Sequence, residues 1–328
     1  MEEENYMEKI LVTPRSLSKN GHPYLAKIEA AGYEIIFPAR GVQPSEDDLL
    51  KLLPECTGYL AGVEKINSRI LDSAKKLKVI SRNGTGIDNV DLSRAKELNI
   101  IIKKTDGANA RGVAELTIAH ILCAVRSIPF HDSAIKLEQW ERVLGIELEG
   151  KTLGLFGCGN IGQIVARLAV AFGMNVQAFE PYPDKNFQEP QNFKYSSIDE
   201  VLKTSDIISL HCPPAKDGIP LINKDTIGKM KNGVYIINTA REGLIDSTAI
   251  ISGIENGKIA GFTIDAFDTE PPLNWELAKN KKVVATQHIG SYTRESVDRA
   301  TVFAVDNLLS VLDDLKAKEN QASPLFNG

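Results

Sequence analysis

What the sequence lacks narrows the reading first. It has no excess of basic residues: 38 Lys and Arg stand against 43 Asp and Glu, for a net charge of −5. A binder of phosphate backbones carries a positive face, so nucleic acid is not an expected partner. Its four cysteines, Cys56, Cys123, Cys158 and Cys212, lie too far apart for a disulfide framework or a metal-ligand set. They read as reduced thiols of a cytoplasmic protein, with no metal expected. The acidic start Met1-Glu-Glu-Glu-Asn lacks the apolar segment of a signal peptide. No run approaches the roughly 18 apolar residues that span a bilayer, so no membrane partner is expected. There is no short repeat and no low-complexity segment. Residues 1–6 read as a loose extension ahead of Met7.

What is present is an ordinary globular composition, 43% hydrophobic and 25% charged in 328 residues, a length that favours two domains. Short apolar runs alternate with amphipathic stretches, the pattern of βαβ units around a parallel sheet. Strands are predicted over 9–13, 34–37, 59–61, 79–81 and 100–103. Helices are predicted near 23–31, 45–53, 67–76 and 92–98. Ser45 ahead of Glu46-Asp47-Asp48 is a good N-cap with helpful first-turn charges. A helix from 110 to about 126 follows. Its apolar positions Val113, Leu116, Ile118, Ala119, Ile121, Leu122 and Val125 leave little polar face, so burial on most sides, including against a second subunit, is expected. A second βα series has strands over 152–156, 175–179, 206–210, 233–238, 260–264 and 283–286. A last amphipathic helix over 294–315 precedes a polar tail, 316–328. The strands lack strict alternation, as expected when helices cover both faces. The expected fold is α/β: two doubly wound parallel-sheet domains with a cleft between them, ligands lying outside the carboxyl ends of strands.

One turn locates a cofactor. Gly157-Cys-Gly159-Asn160-Ile161-Gly162 follows the apolar run Leu153–Phe156 and opens an amphipathic stretch. The first glycine permits a tight turn, the second lets backbone approach a pyrophosphate, and the third lets helix pack against strand. The phosphate would sit at a helix N-terminus, where free N–H groups and the dipole favour an anion. The next strand ends at Glu180, whose carboxylate accepts from ribose hydroxyls and repels a 2′-phosphate, favouring NAD over NADP. Three charged residues stand at later strand ends: Arg241 in Asn238-Thr239-Ala240-Arg241-Glu-Gly243, Glu270 ahead of Pro271-Pro272, and His288 in Thr286-Gln-His288-Ile-Gly290-Ser291. A guanidinium fork suits a carboxylate, and an imidazole that titrates near neutrality suits proton transfer. His211, at the end of another strand, reads as a wall beside the nicotinamide. His120 reads as packing, His22 and His131 as surface residues, and Cys158 as a small side chain that fits the turn.

The order and wording of these segments resemble the D-isomer-specific 2-hydroxyacid dehydrogenases, nearest to the short 3-phosphoglycerate dehydrogenases. The resemblance covers nearly the whole chain: Asn83-Gly84-Thr85-Gly-Ile-Asp-Asn89, Asn109–Leu116, the glycine turn, His211-Cys212-Pro213-Pro214, Asn238–Gly243, Asp265–Pro271 and His288–Ser291. It implies a flavodoxin-like substrate domain, 1–106 plus 292–328, and a Rossmann NAD-binding domain, 107–291, in a homodimer. It implies Arg241, Glu270 and His288 as the catalytic set. His288 would exchange the hydroxyl proton. Glu270 would fix its tautomer and favour the imidazolium. Arg241 would bind the substrate carboxylate and polarise the C2 oxygen. Cys212, Pro213, Thr239, Ala240, His288 and Gly290 would line the cofactor, and Asp265 would contact the nicotinamide amide. Backbone N–H groups of Asn83, Gly84 and Thr85 would hold the substrate carboxylate from the other domain.

Two departures bear on the substrate. Gln287 stands where the family usually has proline, so the His288 loop is expected to be less stiff. Many phosphoglycerate dehydrogenases carry an arginine-serine pair near 60–66 to hold the phosphate. This chain has Gly62-Val63-Glu64 there, and Glu64 would repel a dianion unless Lys65 or Arg82 compensates. The extra regulatory domain that many serine-pathway enzymes have is not expected here. The expected substrate is therefore a small 2-hydroxy or 2-keto acid, 3-phosphoglycerate among the candidates, with glyoxylate or hydroxypyruvate reduction as the alternative. A non-enzymatic NAD-sensing corepressor shares the fold and is the competing class. Formate enzymes of the superfamily carry glutamine where Glu270 stands.

Overall fold

A computed structural model describes residues 7–322, so the expected extension over 1–6 lies outside the described residues. The chain forms two compact units, 7–109 with 294–322, and 110–293.

The first unit begins with β1 (Lys9–Val12), α1 (Arg15–Asn20), α2 (Ala26–Ala30), β2 (Glu34–Ile36), α3 (Glu46–Leu52), β3 (Cys56–Ala61), α4 (Ser68–Ser73), β4 (Val79–Arg82), α5 (Leu92–Glu97) and β5 (Ile101–Lys104). The five strands are parallel in the order β2-β1-β3-β4-β5, the flavodoxin-like doubly wound order. Strand alternation splits its core in two. Leu11, Tyr59 and Ile80 face the cluster under α3, α4 and α5, while Ile10, Val12, Leu60 and Val79 face the opposite cluster. Ser45 caps α3 through a reciprocal capping box with Asp48. α1 was not foreseen from the pattern; its only buried residue is Leu17.

The second unit contains α6 (Ala110–Val125), α7 (Ile128–Lys136), β6 (Thr152–Phe156), α8 (Asn160–Ala171), β7 (Asn175–Phe179), β8 (Phe193–Tyr195), α9 (Ile198–Thr204), β9 (Ile207–Leu210), α10 (Lys224–Lys229), β10 (Val234–Asn238), α11 (Ser247–Glu255), β11 (Ile259–Ile264) and β12 (Val283–Ala285). Its seven parallel strands run β12-β11-β10-β9-β6-β7-β8, a Rossmann order whose direction reverses between β6 and β9. α6 and α8 cover one face, α10 and α11 the other. α6 packs on β10, β11 and β12 and buries Val113, Thr117, His120, Ile121 and Val125, while Leu116, Ile118 and Leu122 remain half-buried. α7 and β8 are additions to the expected series.

α12 (Arg294–Ala322) returns to the first unit and packs on β3, β4 and β5. Ala304, Val305, Leu308 and Leu312 complete the core there. The helix runs past the expected end at 315, and residues 316–322 of the expected polar tail are helical. Lys316 lies 4.4 Å above the Tyr33 ring and pairs with Glu8 at 3.3 Å, so polar residues are held here by tertiary contacts. No single helix among the described residues is long and apolar enough to cross a membrane.

Candidate active site

The candidate residues of the second unit collect at the carboxyl ends of its strands. His288 follows β12, and its Nδ1 lies 2.7 Å from Glu270 Oε1. A carboxylate only accepts, so Nδ1 carries the proton and Nε2 remains for other chemistry. The His288 and Glu270 side chains keep 27% and 23% of their surface, enough for the imidazole to reach a ligand. Glu270 Oε1 also accepts from the Phe267 N–H at 3.3 Å.

His288 adopts φ = 53°, a left-handed conformation that is strained for a residue with a Cβ. Asp265, 2% exposed, holds it there. The Asp265 carbonyl accepts from the His288 N–H at 2.7 Å. Its carboxylate accepts from Thr286 Oγ1 at 2.6 Å and from the Ile289 and Gly290 N–H groups at 2.9 Å each. These bonds tie the loop that contains Gln287 to the end of β11. Both Asp265 carboxylate oxygens bond to the protein's own loop. Thr286 was quoted in the motif, but its role emerges only from this contact.

Arg241 follows the neighbouring strand β10. Fully buried Asn238 brackets the turn, its Nδ2 donating to the Arg241 carbonyl at 2.7 Å and its Oδ1 accepting from the Ala240 N–H at 3.1 Å. Arg241 itself donates from one guanidinium nitrogen to the Ala240 carbonyl at 2.7 Å. Glu242 accepts from the Asp268 N–H at 2.8 Å and so ties the Arg241 turn to the loop that carries Glu270.

The glycine turn stands where the sheet reverses. A Cβ on Gly157 would run into the His211 carbonyl, and one on Gly162 into the Gly157 carbonyl, whereas a Cβ on Gly159 would meet nothing within 4 Å. The first and third glycines are therefore required by packing, and the second leaves open space at the N-terminus of α8, which has no side-chain cap. That combination fits a pyrophosphate. Glu180 is not simply solvated: its carboxylate accepts from the Cys158 N–H at 2.9 Å and the Tyr182 N–H at 3.0 Å. The negative charge is thereby fixed beside the turn. Burial pushes the Cys158 and Cys212 thiols up to about 11, which keeps both protonated and unreactive. His211 donates or accepts at 2.9 Å with Ser209 Oγ, and burial pushes its imidazole down to about 4, so it is neutral at physiological pH. His120 is hydrogen-bonded as well as packed: Nε2 lies 3.1 Å from Thr286 Oγ1.

Residues 118–290 match the model of the D-isomer specific 2-hydroxyacid dehydrogenase NAD binding domain. The chain belongs to the D-isomer-specific 2-hydroxyacid dehydrogenases. It is 39% identical over 274 residues to a hydroxypyruvate reductase of Thermotoga maritima, covering 81% of this chain and 88% of that protein. It is 35% identical over 278 residues to a D-3-phosphoglycerate dehydrogenase of Archaeoglobus fulgidus, covering 84% and 53%. The chain spans about half the length of the phosphoglycerate dehydrogenases it matches. The TT0316 protein of Thermus thermophilus superposes with a TM-score of 0.83 at 34% identity, covering 93% and 97%. Like its family, this chain is an NAD-dependent oxidoreductase.

The first unit of this family member departs from what the motif wording suggested. Of the three N–H groups expected to hold a substrate carboxylate, that of Asn83 donates to the Ala61 carbonyl and that of Gly84 to the Arg82 carbonyl, both at 2.9 Å. Only the Thr85 N–H has no acceptor among the described residues. The strand ladder and the turn take these donors first. Arg82 is 7% exposed, with one guanidinium nitrogen 2.7 Å from the Asn83 carbonyl. It packs against Gly84, where a Cβ would come within 2.8 Å of it. Lys65 is exposed. Glu64, expected to face a ligand, is 2% exposed. Its Oε1 accepts from Thr13 Oγ1, from the Tyr59 hydroxyl at 2.5 Å and from the Gly62 N–H at 2.8 Å.

Proposed function

We propose that this dehydrogenase interconverts a small, unphosphorylated D-2-hydroxy acid and its 2-keto acid, of hydroxypyruvate or glyoxylate size. The observation that carries the chemistry is the His288–Glu270 pair at 2.7 Å on a half-buried strand-end loop. With Nδ1–H held by Glu270, His288 Nε2 takes the hydroxyl proton in oxidation and returns it in reduction. Glu270 stabilises the imidazolium that forms in between. Arg241 binds the substrate carboxylate through its planar fork and polarises the C2 oxygen. Bound NAD would supply the hydride acceptor or donor for C2. Gly157, Gly159, Asn160, Ile161 and Gly162 would hold its pyrophosphate, and Glu180 its ribose. His211, Cys212, Pro213, Thr239, Ala240 and Gly290 would line it, with Asp265 acting through the loop it organises. The second unit is thus the cofactor domain.

The preference for an unphosphorylated acid rests on the residues at 60–66 and on Arg82. Arg82 is buried with a guanidinium nitrogen on the Asn83 carbonyl, and Lys65 is exposed. No arginine-serine pair stands at 60–66 to hold a dianion. The hydroxypyruvate reductase named above points the same way, and the phosphoglycerate dehydrogenases are the second reading. The test follows NADH absorbance against phosphohydroxypyruvate, hydroxypyruvate and glyoxylate. Turnover of the two uncharged side chains is expected. Turnover confined to the phosphorylated acid would overturn the substrate assignment, and NADH binding without any turnover would favour an NAD-sensing protein. His288→Ala should lower kcat by about 10²–10⁴ while NADH still binds.

The protein is further proposed to act as a homodimer in the cytoplasm. Ile128, Ile135, Leu137, Trp140 and Leu144 are between 50% and 97% exposed, a run of apolar surface unusual for a monomer. The four cysteines are unpaired. Light scattering on the wild type and on Trp140→Glu tests the dimer, which the substitution should weaken.

A further inference from the structure

α6 carries no residue of the catalytic set, yet it reaches both loops that do. Thr117 and His120 lie on its buried side, 0% and 2% exposed, and they point at two threonines in matching places. Thr239 stands two residues before Arg241, and Thr286 two residues before His288. Thr117 Oγ1 lies 2.8 Å from Thr239 Oγ1 and His120 Nε2 lies 3.1 Å from Thr286 Oγ1.

Donor accounting orients both chains. Thr117 Oγ1 donates its one proton to the Val113 carbonyl at 2.8 Å, so Thr239 is the donor to Thr117. Thr286 Oγ1 donates its one proton to Asp265 Oδ1 at 2.6 Å, so His120 Nε2–H must donate to Thr286. His120 Nδ1 is buried with no hydrogen-bond partner among the described residues, which leaves no acceptor for a second ring proton. Burial lowers the His120 pKa, against the opposing pull of Asp265. The imidazole is therefore a neutral donor with its tautomer set by the loop it supports. The chain His120–Thr286–Asp265 continues into the Ile289 and Gly290 N–H groups on the far side of His288.

We propose that Thr117 and His120 are positioning residues for hydride transfer, fixing through Thr239 and Thr286 the strand ends from which Arg241 and His288 project. The inference rests on the catalytic reading of Arg241 and His288 given above. A small displacement of an acid–base group costs rate steeply while leaving binding at a distance unaffected. The two contacts act on different steps. His120 secures the proton-transfer loop, so its loss lowers kcat. Thr117 secures the carboxylate-binding turn, so its loss raises KM for the keto acid.

The experiment compares two removal variants with two conservative ones in the full chain. His120→Leu keeps bulk and removes the donor, and His120→Gln restores a neutral donor near the Nε2 position. Thr117→Val removes the hydroxyl, and Thr117→Ser restores it. Expected are a drop in kcat of about tenfold to a hundredfold for His120→Leu and a rise in keto-acid KM of about tenfold for Thr117→Val, with NADH affinity changed by less than about twofold in both. The Gln and Ser variants should recover most of the loss. Wild-type kinetics in the Leu and Val variants would overturn the inference, as would Gln and Ser variants no better than Leu and Val. NADH binding lost in step with rate would equally overturn it, by showing a merely structural role. His288→Ala is measured alongside: if it retains turnover, the catalytic reading itself fails, whereas its collapse beside unaffected α6 variants refutes only the positioning role.

Discussion

One loop in each unit is organised by a single buried carboxylate, and the two differ in what they hold. In the first unit, Glu64 gathers three donors on one oxygen, and two of them are the side-chain hydroxyls of Thr13 and Tyr59. In the second, Asp265 uses both oxygens, and two of its three donors are backbone N–H groups of the loop itself. A carboxylate bonded to hydroxyls ties neighbouring strands together. A carboxylate bonded to consecutive N–H groups dictates backbone conformation, here the left-handed turn at His288. The first device should matter for stability and the second for chemistry.

Of the two carboxylates, the larger effect is expected for Asp265→Asn. An amide nitrogen would face a donor already aimed at the carboxylate, so the His288 loop should lose its alignment. The expected fall in kcat is on the order of 10²-fold. Steady-state kinetics decide it, and a variant with unchanged kcat would show that the loop holds itself. Glu64→Gln comes next, with a loss of about 1–3 kcal/mol in urea unfolding and little change in kcat on the preferred keto acid. If instead Glu64→Gln slowed turnover as much as Asp265→Asn, the contrast between the two carboxylates would be gone.

The smallest effect concerns acid. The two histidines that burial drives toward the neutral form, His120 and His211, both belong to the second unit. Burial lowers His211 from 6.5 to about 4, so between those values the unfolded chain binds a proton that the folded protein refuses. The stability contributed by neutral His211 is full above pH 6.5 and is lost as pH falls toward 4. Unfolding measured across that window should show the second unit weakening, and His211→Gln, which keeps a neutral partner for Ser209, should flatten the slope. An unchanged slope would place the acid sensitivity elsewhere.

The βα order was readable because strands buried on both faces appear as apolar runs whatever their neighbours. α12 outran its expected end because a charged stretch such as Asp313–Lys318 forms helix as readily as an apolar one, and polarity alone marks no terminus. Short elements with a single anchor, such as α1, leave too little pattern to read. The glycine turn was legible from motif and position, and the Glu270–His288 pairing from the family resemblance. The roles of Asp265, His120 and Glu64 were not. Their partners lie as far as 25, 166 and 51 residues away in the chain, and a buried polar residue looks like an exposed one until its donors are placed around it.

The sequence by itself determined the alternation of strands and helices, the glycine turn, the strand ends at which chemistry is carried and the family. Those features are local, written in periodicity and in residue types with special backbone or charge. Only the tertiary structure decided which donors remain for a ligand. The Asn83 and Gly84 N–H groups are taken by the protein's own carbonyls, Arg82 lies beneath its turn, and Asp265 is engaged by the loop of His288. A buried polar group must find its partner within the fold, and that competition is settled by three-dimensional packing.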